Sequence, residues 1–459
     1  LALMQSLERP IVLAPARVEL EGVAPENREI GIMLPYTPAQ HLLFAAGAPP
    51  VLVMTSGNRS SEPIAYDDDD SRRRLAGIAD AFLVGEREIA RRVDDSVARA
   101  DPWGVAVLRH ARGYAPRAVA TIPSERPILA VGADLKNAVS LVVNANAFIS
   151  QHIGDLDHLS ARTSFEQTIA DLRAMYELNE KDLVVAHDMH PGYASTQYAL
   201  SLPGTHVAVQ HHRAHVASVL AERGAWDERV IGFAWDGTGF GDDGAIWGGE
   251  IFTGTLRSGL RRTMHLREAS LPGGDAAARY PVQCAAGFLA QLDALPDMQA
   301  APFHFPGRYF HAQRLIERDV RTFITTSVGR LFDTVAALCG FTREITFEGQ
   351  AAMWLEHLAM QTDRAANYSM PIHEDEFDFR PLLAEILEDR ASGRPVAEIA
   401  HGFHETLAQT MTDICGMLGE HAVVASGGVF QNRLLGGMAF ERFGERLWLN
   451  TKVPCNDGG

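Results

Sequence analysis

Two apolar strands that each run into a glycine-rich turn constrain this chain more than any other feature. Val230–Trp235 leads into Asp236-Gly237-Thr238-Gly239, and Ala422–Ala425 leads into Ser426-Gly427-Gly428-Val429-Phe430-Gln431-Asn432, ahead of a helical pattern. Turns of this kind bring backbone amides close to a phosphate or a metal-bound carboxylate, because glycine allows the close approach. Other segments extend the alternation. Ile128–Val131 and Asn137–Val143 read as strands, and Ser164–Leu178, Leu331–Cys339 and Phe403–Met417 as helices. Strands alternating with helices imply an α/β architecture.

Ahead of these, residues 1–122 carry their own α/β pattern, with a strand expected over Val51–Thr55 ending on Ser56-Gly57-Asn58. The segment from Ala115-Pro116 to Arg126-Pro127 holds three prolines and few large apolar residues, so it reads as a linker. Two units are therefore expected, 1–122 and 123–459, within a chain of 459 residues. The block at 67–74, Asp-Asp-Asp-Asp-Ser-Arg-Arg-Arg, reads as a solvated helix start with acids in its first turn; a cation or phosphate site is the alternative.

Composition removes several classes. With 41 basic and 58 acidic residues the net charge is −17, which repels a phosphate backbone and disfavours nucleic acid as partner. Four scattered cysteines, never in a C-x-x-C pair, read as reduced cytoplasmic thiols. No apolar run approaches the roughly 18 residues of a membrane span, and the start, LALMQSLERPIV, does not read as a signal peptide. A chain that opens without Met and closes on Asp457-Gly458-Gly459 reads as a piece of something longer.

The sharpest local signal is Gln210-His211-His212-Arg213-Ala214-His215 before the amphipathic VASVLAE. On a helix His211 and His215 share a face and can reach one metal, with a carboxylate needed to complete the set; two ordinary histidines at a helix start are the alternative. Arg213 points elsewhere and could hold a phosphate. The turn Asp236–Gly239 supplies a carboxylate and amides. Thr55, Ser56 and Asn58, together with Arg92, Asp95 and Ser96, are polar clusters that either hold a small polar substrate or adenylate, or are simple turns. The two glycine turns, with Asp457-Gly458-Gly459 as a third, resemble the two-lobed actin/sugar-kinase/Hsp70 fold, which cradles ATP between lobes.

In order, these clusters resemble the HypF family of carbamoyltransferases of NiFe-hydrogenase maturation, over essentially the whole chain. Residues 1–122 resemble a YrdC-like domain lacking its start, through Leu34-Pro35-Tyr36-Thr37-Pro38, Met54–Asn58 with Glu62-Pro63-Ile64, Arg92–Val97 and Arg112–Pro116. Residues 123–459 resemble the threonylcarbamoyl-transferase-like domain, through Gly132–Asn137, Ser150–Leu156, His211–His215, Asp236–Glu250, Phe347–Ala351, Ser426–Asn432 and Asn456–Gly459. The resemblance implies that ATP, with Mg2+, adenylates carbamate derived from carbamoyl phosphate. It implies transfer of the carbamoyl group to the C-terminal cysteine thiol of a partner, HypE.

The same resemblance assigns residues. His211, His215, Asp236 and Asp457 match metal-binding positions, for iron or zinc. Asp333, Gly349, Glu356 and Asn432 match nucleotide-contacting positions, joined by Gly237, Gly239, Gly427 and Gly428 and, in the first domain, by Thr55, Ser56, Asn58, Arg92, Asp95 and Ser96. Lys136, Asn137 and Arg213 are expected at the transfer chemistry. Gly85-Glu86 before Arg87 and Cys455 before Asn456 depart from the family pattern, and the acylphosphatase-like and cysteine-rich zinc-finger-like regions have no counterpart here. A tRNA threonylcarbamoyl-transfer enzyme, a small-molecule O-carbamoyltransferase and a non-enzymatic ATP-binding actin-like scaffold are the rival readings; the acidic charge and the domain order favour the HypF family.

Overall fold

A computed structural model describes residues 1–18, 20–59, 62–179, 182–419 and 421–459. Three sheets organise it. The first pairs β1 (Ile11–Pro15), β2 (Glu29–Ile32), β3 (Val97–Asp101) and β4 (Gly104–Arg109) in the order β2-β1-β3-β4, with β1 parallel to β3 and the other pairs antiparallel. The strand expected over Val51–Thr55 does not form. A strand needs a ladder partner, and none of these four lies beside it; Val51 and Val53 are 76% and 74% exposed. The charge block becomes the helix Asp68–Arg74, whose first turn is capped by Asp67 accepting from the Asp70 N–H at 2.8 Å. Its acids and arginines pair with one another along the helix, as in Arg72–Asp69 and Arg74–Asp70.

The second sheet runs β10-β9-β6-β7-β8-β5, built from β5 (Ala118–Thr121), β6 (Ile128–Ala130), β7 (Ser140–Val143), β8 (Asn146–Ile149), β9 (Val184–Asp188) and β10 (Thr205–Val209). The proline-rich segment read as a linker thus carries an edge strand: β5 pairs antiparallel with β8, its small alternating residues (Ala-Val-Ala-Thr) suiting a half-buried edge. Helix Leu159–Met175, reaching further toward the N-terminus than its sequence pattern, packs Phe165 and Ile169 against Leu129, Leu141 and Val185 of this sheet.

The third and largest sheet is ordered β16-β17-β13-β12-β11-β18-β19, from β11 (Val230–Phe240), β12 (Ile246–Thr255), β13 (Gly259–Leu266), β16 (Ile372–His373), β17 (Glu376–Phe377), β18 (Ala422–Ser426) and β19 (Leu447–Trp448); β14 (Ala269–Pro272) and β15 (Thr322–Thr325) join beside β12. Helices Val328–Cys339 and Val396–Leu418 begin before their expected starts and bury Leu331, Phe332, Phe403 and Leu407 in the largest core. The glycine-rich turn expected directly after Trp235 is instead a bulge within the strand, and the chain turns only beyond Phe240, where the Gly241 N–H donates to the Ala245 carbonyl at 2.9 Å. β11 continues to Phe240, and its register on β12 jumps from Trp235 opposite Gly249 to Gly239 opposite Trp247. Such an irregularity re-aims a side chain, and the residue it re-aims is Asp236.

Candidate metal centre

The helix His211–Arg223 starts where the Gln210 side chain accepts from the Arg213 N–H at 2.9 Å. One turn apart on this helix, His211 and His215 turn the same way, toward the bulge of β11. Their Nε2 atoms lie 3.4 and 3.3 Å from Asp236 Oδ2, and 3.5 and 3.8 Å from Asp457 Oδ1. One ligand atom from each of the four residues falls within 4.8 Å of the others. Atoms bonded at about 2.0–2.2 Å to a tetrahedral ion stand roughly 3.4 Å apart, so this spacing fits one first-row metal. The donor set of two imidazoles and two carboxylates suits zinc or iron.

Two of the four candidate ligands, His211 and Asp236, are held from behind. His211 Nδ1 lies 3.1 Å from Asp188 Oδ2 at the end of β9, and Asp188 Oδ1 accepts from the His190 N–H at 2.7 Å. That hydrogen bond leaves Nε2 free to face the cluster. Asp236 Oδ1 accepts from the Gly428 N–H at 3.0 Å, so only Oδ2 points inward. A Cβ on Gly239 would sit 2.5 Å from His212 and 2.8 Å from the His211 ring, so only glycine lets β11 lie against the helix here. Burial opposes charge on His211, yet the carboxylates of Asp457, Asp188 and Asp236 outweigh it and hold the imidazole well above its usual value. Burial likewise resists ionising Asp236, and hydrogen bonds from His211 and His215 overcome it, keeping the carboxyl well below its usual range. His212 is different. Burial and the neighbouring His211 push its pKa down, so it stays neutral and packs against Trp247.

The remaining residues singled out in the sequence scatter around this centre. Lys136 reaches it: although burial disfavours its charge, Glu348, Asp457 and Asp236 raise its pKa, and Nζ pairs with Glu348. Asn137 is turned inward, its amide donating to the carbonyls of Val131 and Ala133, so it braces the turn after β6 instead of facing the cluster. Arg213 lies off the cluster, paired with Asp242 at 2.7 Å and donating to the Leu260 carbonyl, because it leaves the helix on another face.

Around the second glycine turn, Gly427 has φ of 103° and its amide donates to the Cys455 carbonyl at 2.8 Å. A Cβ there would strike the Trp235 carbonyl at 2.2 Å. Asn432 caps the helix Arg433–Phe443 through Oδ1 at 2.8 Å from the Leu435 N–H, while Nδ2 lies 2.9 Å from His404 Nε2. Burial lowers the His404 pKa to about 4, so its ring is neutral: Nδ1–H donates to the Ala400 carbonyl and Nε2 accepts from Asn432. Glu356 Oε1 accepts from the Arg433 and Leu434 N–H groups, and burial lifts its carboxyl to about 7. Burial likewise lifts Asp333 to about 6, although Arg330 pairs with it at 3.0 Å. Gly237 faces the Arg330 guanidinium, 3.2 Å from where its Cβ would be, and Gly349, φ 74°, starts the helix Gln350–Ala359 in open space.

In the first domain Thr55, Ser56 and Asn58 form an exposed or half-exposed loop, with Ser56 Oγ bonded to Asn58. Arg92 is half-buried. Asp95 accepts from Arg112 Nε at 2.7 Å and from Tyr36 Oη at 3.2 Å, with the guanidinium stacked 3.5 Å over the Tyr36 ring. Ser96 is spent internally, donating to the Arg112 carbonyl and accepting from the Ala111 N–H. Asp188 was not singled out in the sequence. Its signal was an Asp closing an apolar strand, the same pattern that marks Asp236.

Comparison with known proteins adds the family. The family described as the HypF Kae1-like domain matches residues 123–222, that described as the second subdomain of the carbamoyltransferase Kae1-like domain matches 232–459, and that described as telomere recombination, which groups Sua5, YciO and YrdC, matches 2–111. Carbamoyltransferase HypF2 of Cupriavidus necator is 37% identical over 519 residues, covering 100% of this chain and 63% of its own. Carbamoyltransferase HypF of Synechocystis is 37% identical over 487 residues, covering 99% and 62%. This chain therefore spans less than two thirds of the length of these relatives. A full-length HypF solved with phosphate and nucleotide bound superposes with a TM-score of 0.92 at 38% identity, over 99% of this chain and 73% of that one. A YrdC-like domain followed by a Kae1-like domain, closely matched in sequence and in structure, places the chain in the HypF family of carbamoyltransferases.

Proposed function

We propose that this chain carries the adenylation and transfer parts of an ATP-dependent carbamoyltransferase. In this reading the N-terminal unit forms carbamoyl-adenylate from ATP and carbamate, and the C-terminal unit, whose first strand is β5, passes the carbamoyl group to the C-terminal cysteine thiol of HypE. The cluster of His211, His215, Asp236 and Asp457 carries the proposal, since an ion held by that set would supply a Lewis acid beside the bulge of β11 and the turn Gly428–Gln431. Asp188 orients His211, and the Gly428 amide orients Asp236. Lys136, kept cationic by Asp457, Asp236 and Glu348, places a positive charge where an adenylate phosphate or an acceptor thiolate would sit. Asp333, Gly349, Glu356 and Asn432, with Gly237, Gly239, Gly427 and Gly428, are assigned to the nucleotide side of the cleft. Thr55, Ser56, Asn58, Arg92 and Asp95 are assigned to the adenylating side. The attacking thiolate forms a C–S bond to the carbamoyl carbon while the C–O bond to AMP breaks, AMP leaving with the electron pair.

Direct contact between the two units supports a closed path for a hydrolysable intermediate: Asn456 beside the cluster donates to the Leu108 carbonyl of β4, and Trp103 packs on Phe440 at 6.0 Å. Among the described residues no helix is long and apolar enough to cross a membrane. The decisive experiment incubates the complete protein with ATP, carbamoyl phosphate and HypE and weighs the C-terminal peptide of the acceptor. A gain of one carbamoyl group is the expected outcome; modification of tRNA instead would overturn the reading.

A further inference from the structure

Strand β3 of the first sheet sends a buried arginine into the second domain. Arg99, with 6% of its side chain exposed, pairs through Nε with Asp101 at 2.8 Å and donates from Nη1 to the Gln431 carbonyl at 3.1 Å. Asp101, whose side chain is fully buried, also meets Arg433 Nε at 3.1 Å, and Arg433 Nη1 pairs with Glu29 of β2 at 3.1 Å. The first sheet therefore grips the chain on both sides of Asn432. The segment so gripped is the short turn Gly428–Gln431, whose first amide carries Asp236 Oδ1. Its last residue does more. Gln431 Oε1 accepts from Asn456 Nδ2 at 3.1 Å, and Asn456 is the neighbour of Asp457. Both carboxylates of the cluster are thus tied to one turn, and that turn is fixed by a guanidinium from the other domain.

We infer that Arg99 is a positioning residue for the metal centre, setting the aim of Asp236 and Asp457 from the adenylating domain by holding the turn at Gln431. The inference rests on the reading of the four-residue cluster as a metal site. Its physical basis is that a buried arginine in a fixed fork loses little freedom per bond and offers geometry that lysine lacks. Groups that orient ligands typically govern 10–100-fold in metal affinity; Arg99 acts one step further out, so the lower end applies. Docking of the first domain then becomes a condition for a well-formed transfer site, which couples the two half-reactions.

The test titrates the full chain with zinc against a chromophoric chelator, for the wild type, His211→Ala, Arg99→Gln and Arg99→Lys. Zinc binding is expected in the wild type and lost in His211→Ala. Arg99→Gln is expected to weaken it about tenfold with an unchanged far-UV circular dichroism spectrum, and Arg99→Lys to recover part of the loss. Should Arg99→Gln fail to fold, the lysine variant, which keeps the buried charge, supplies the comparison. Wild-type affinity in the Arg99 variants, alongside loss in His211→Ala, overturns the role of Arg99 and leaves the metal site standing. No zinc bound by the wild type overturns both.

Discussion

Asp188 Oδ2 stands 3.1 Å from His211 Nδ1, so a carboxylate on one sheet orients an imidazole on the helix that faces another. Replacing Asp188 with Asn keeps the shape and removes the charge behind the ligand. Metal affinity is expected to drop about 10–100-fold, read by chelator competition, with the thermal midpoint of the metal-free protein little changed. An affinity equal to wild type would mean that His211 is aimed by the helix alone.

Gly239 is a steric test of the same centre. A methyl group there overlaps both His211 and His212, and the contact atoms belong to rings pinned by burial and hydrogen bonds. Gly239→Ala is expected to destabilise the chain by about 1–3 kcal/mol in urea denaturation and to abolish metal binding. Retention of both would show that the helix can shift away from β11 at no cost.

Glu356 gives a pH signature. Burial holds its carboxyl at about 7 in the folded chain, against an ordinary 4.5. Between those values the folded state keeps a proton that the unfolded state has released. Its contribution to stability is therefore present below about 4.5 and fades as the pH rises through 7. In Glu356→Gln that slope disappears while an acceptor remains for the Arg433 and Leu434 amides. From pH 5 to 7.5 the wild type is expected to lose on the order of 2–3 kcal/mol more than the variant. Parallel curves from urea unfolding would contradict the assignment.

The thiols are expected to be quiet. Burial pushes Cys339, Cys415 and Cys455 up to about 12 and Cys284 higher still, so almost no thiolate exists at pH 8. Native protein treated with iodoacetamide should gain no adduct by mass over the time in which urea-unfolded protein gains four. Rapid labelling of Cys455, the only one of the four that is partly exposed, would point to an activating environment around the cluster.

How much of this was readable in advance depends on whether the cause was local. His211 and His215 were legible because helical spacing fixes their shared face, and strands β11 and β18 because apolar runs meet glycine. Asp457 lies 246 residues from His211, so only resemblance, not spacing, could join them. The bulge that aims Asp236 depends on Gly248 and Gly249 lying across the ladder, where larger side chains would clash. Val51–Thr55 shows the reverse failure: an apolar run has strand propensity, but among the described residues no ladder partner is placed beside it. Arg213 beside the histidines looked chemical from sequence neighbourhood alone, and helix geometry sends it to Asp242. The Arg99 contact with Gln431 bridges 332 positions and had no sequence signature at all.

The edge strand β5, Ala118–Thr121, changes how the two halves could be separated. A tether of prolines would let them swing or be severed with little harm, and a gene split anywhere within it would yield two intact products. Here the connecting segment is woven into the second fabric. Any cut after Ala118 tears a selvedge from the six-stranded sheet, so the seam at which this polypeptide can be divided lies on the N-terminal side of that strand.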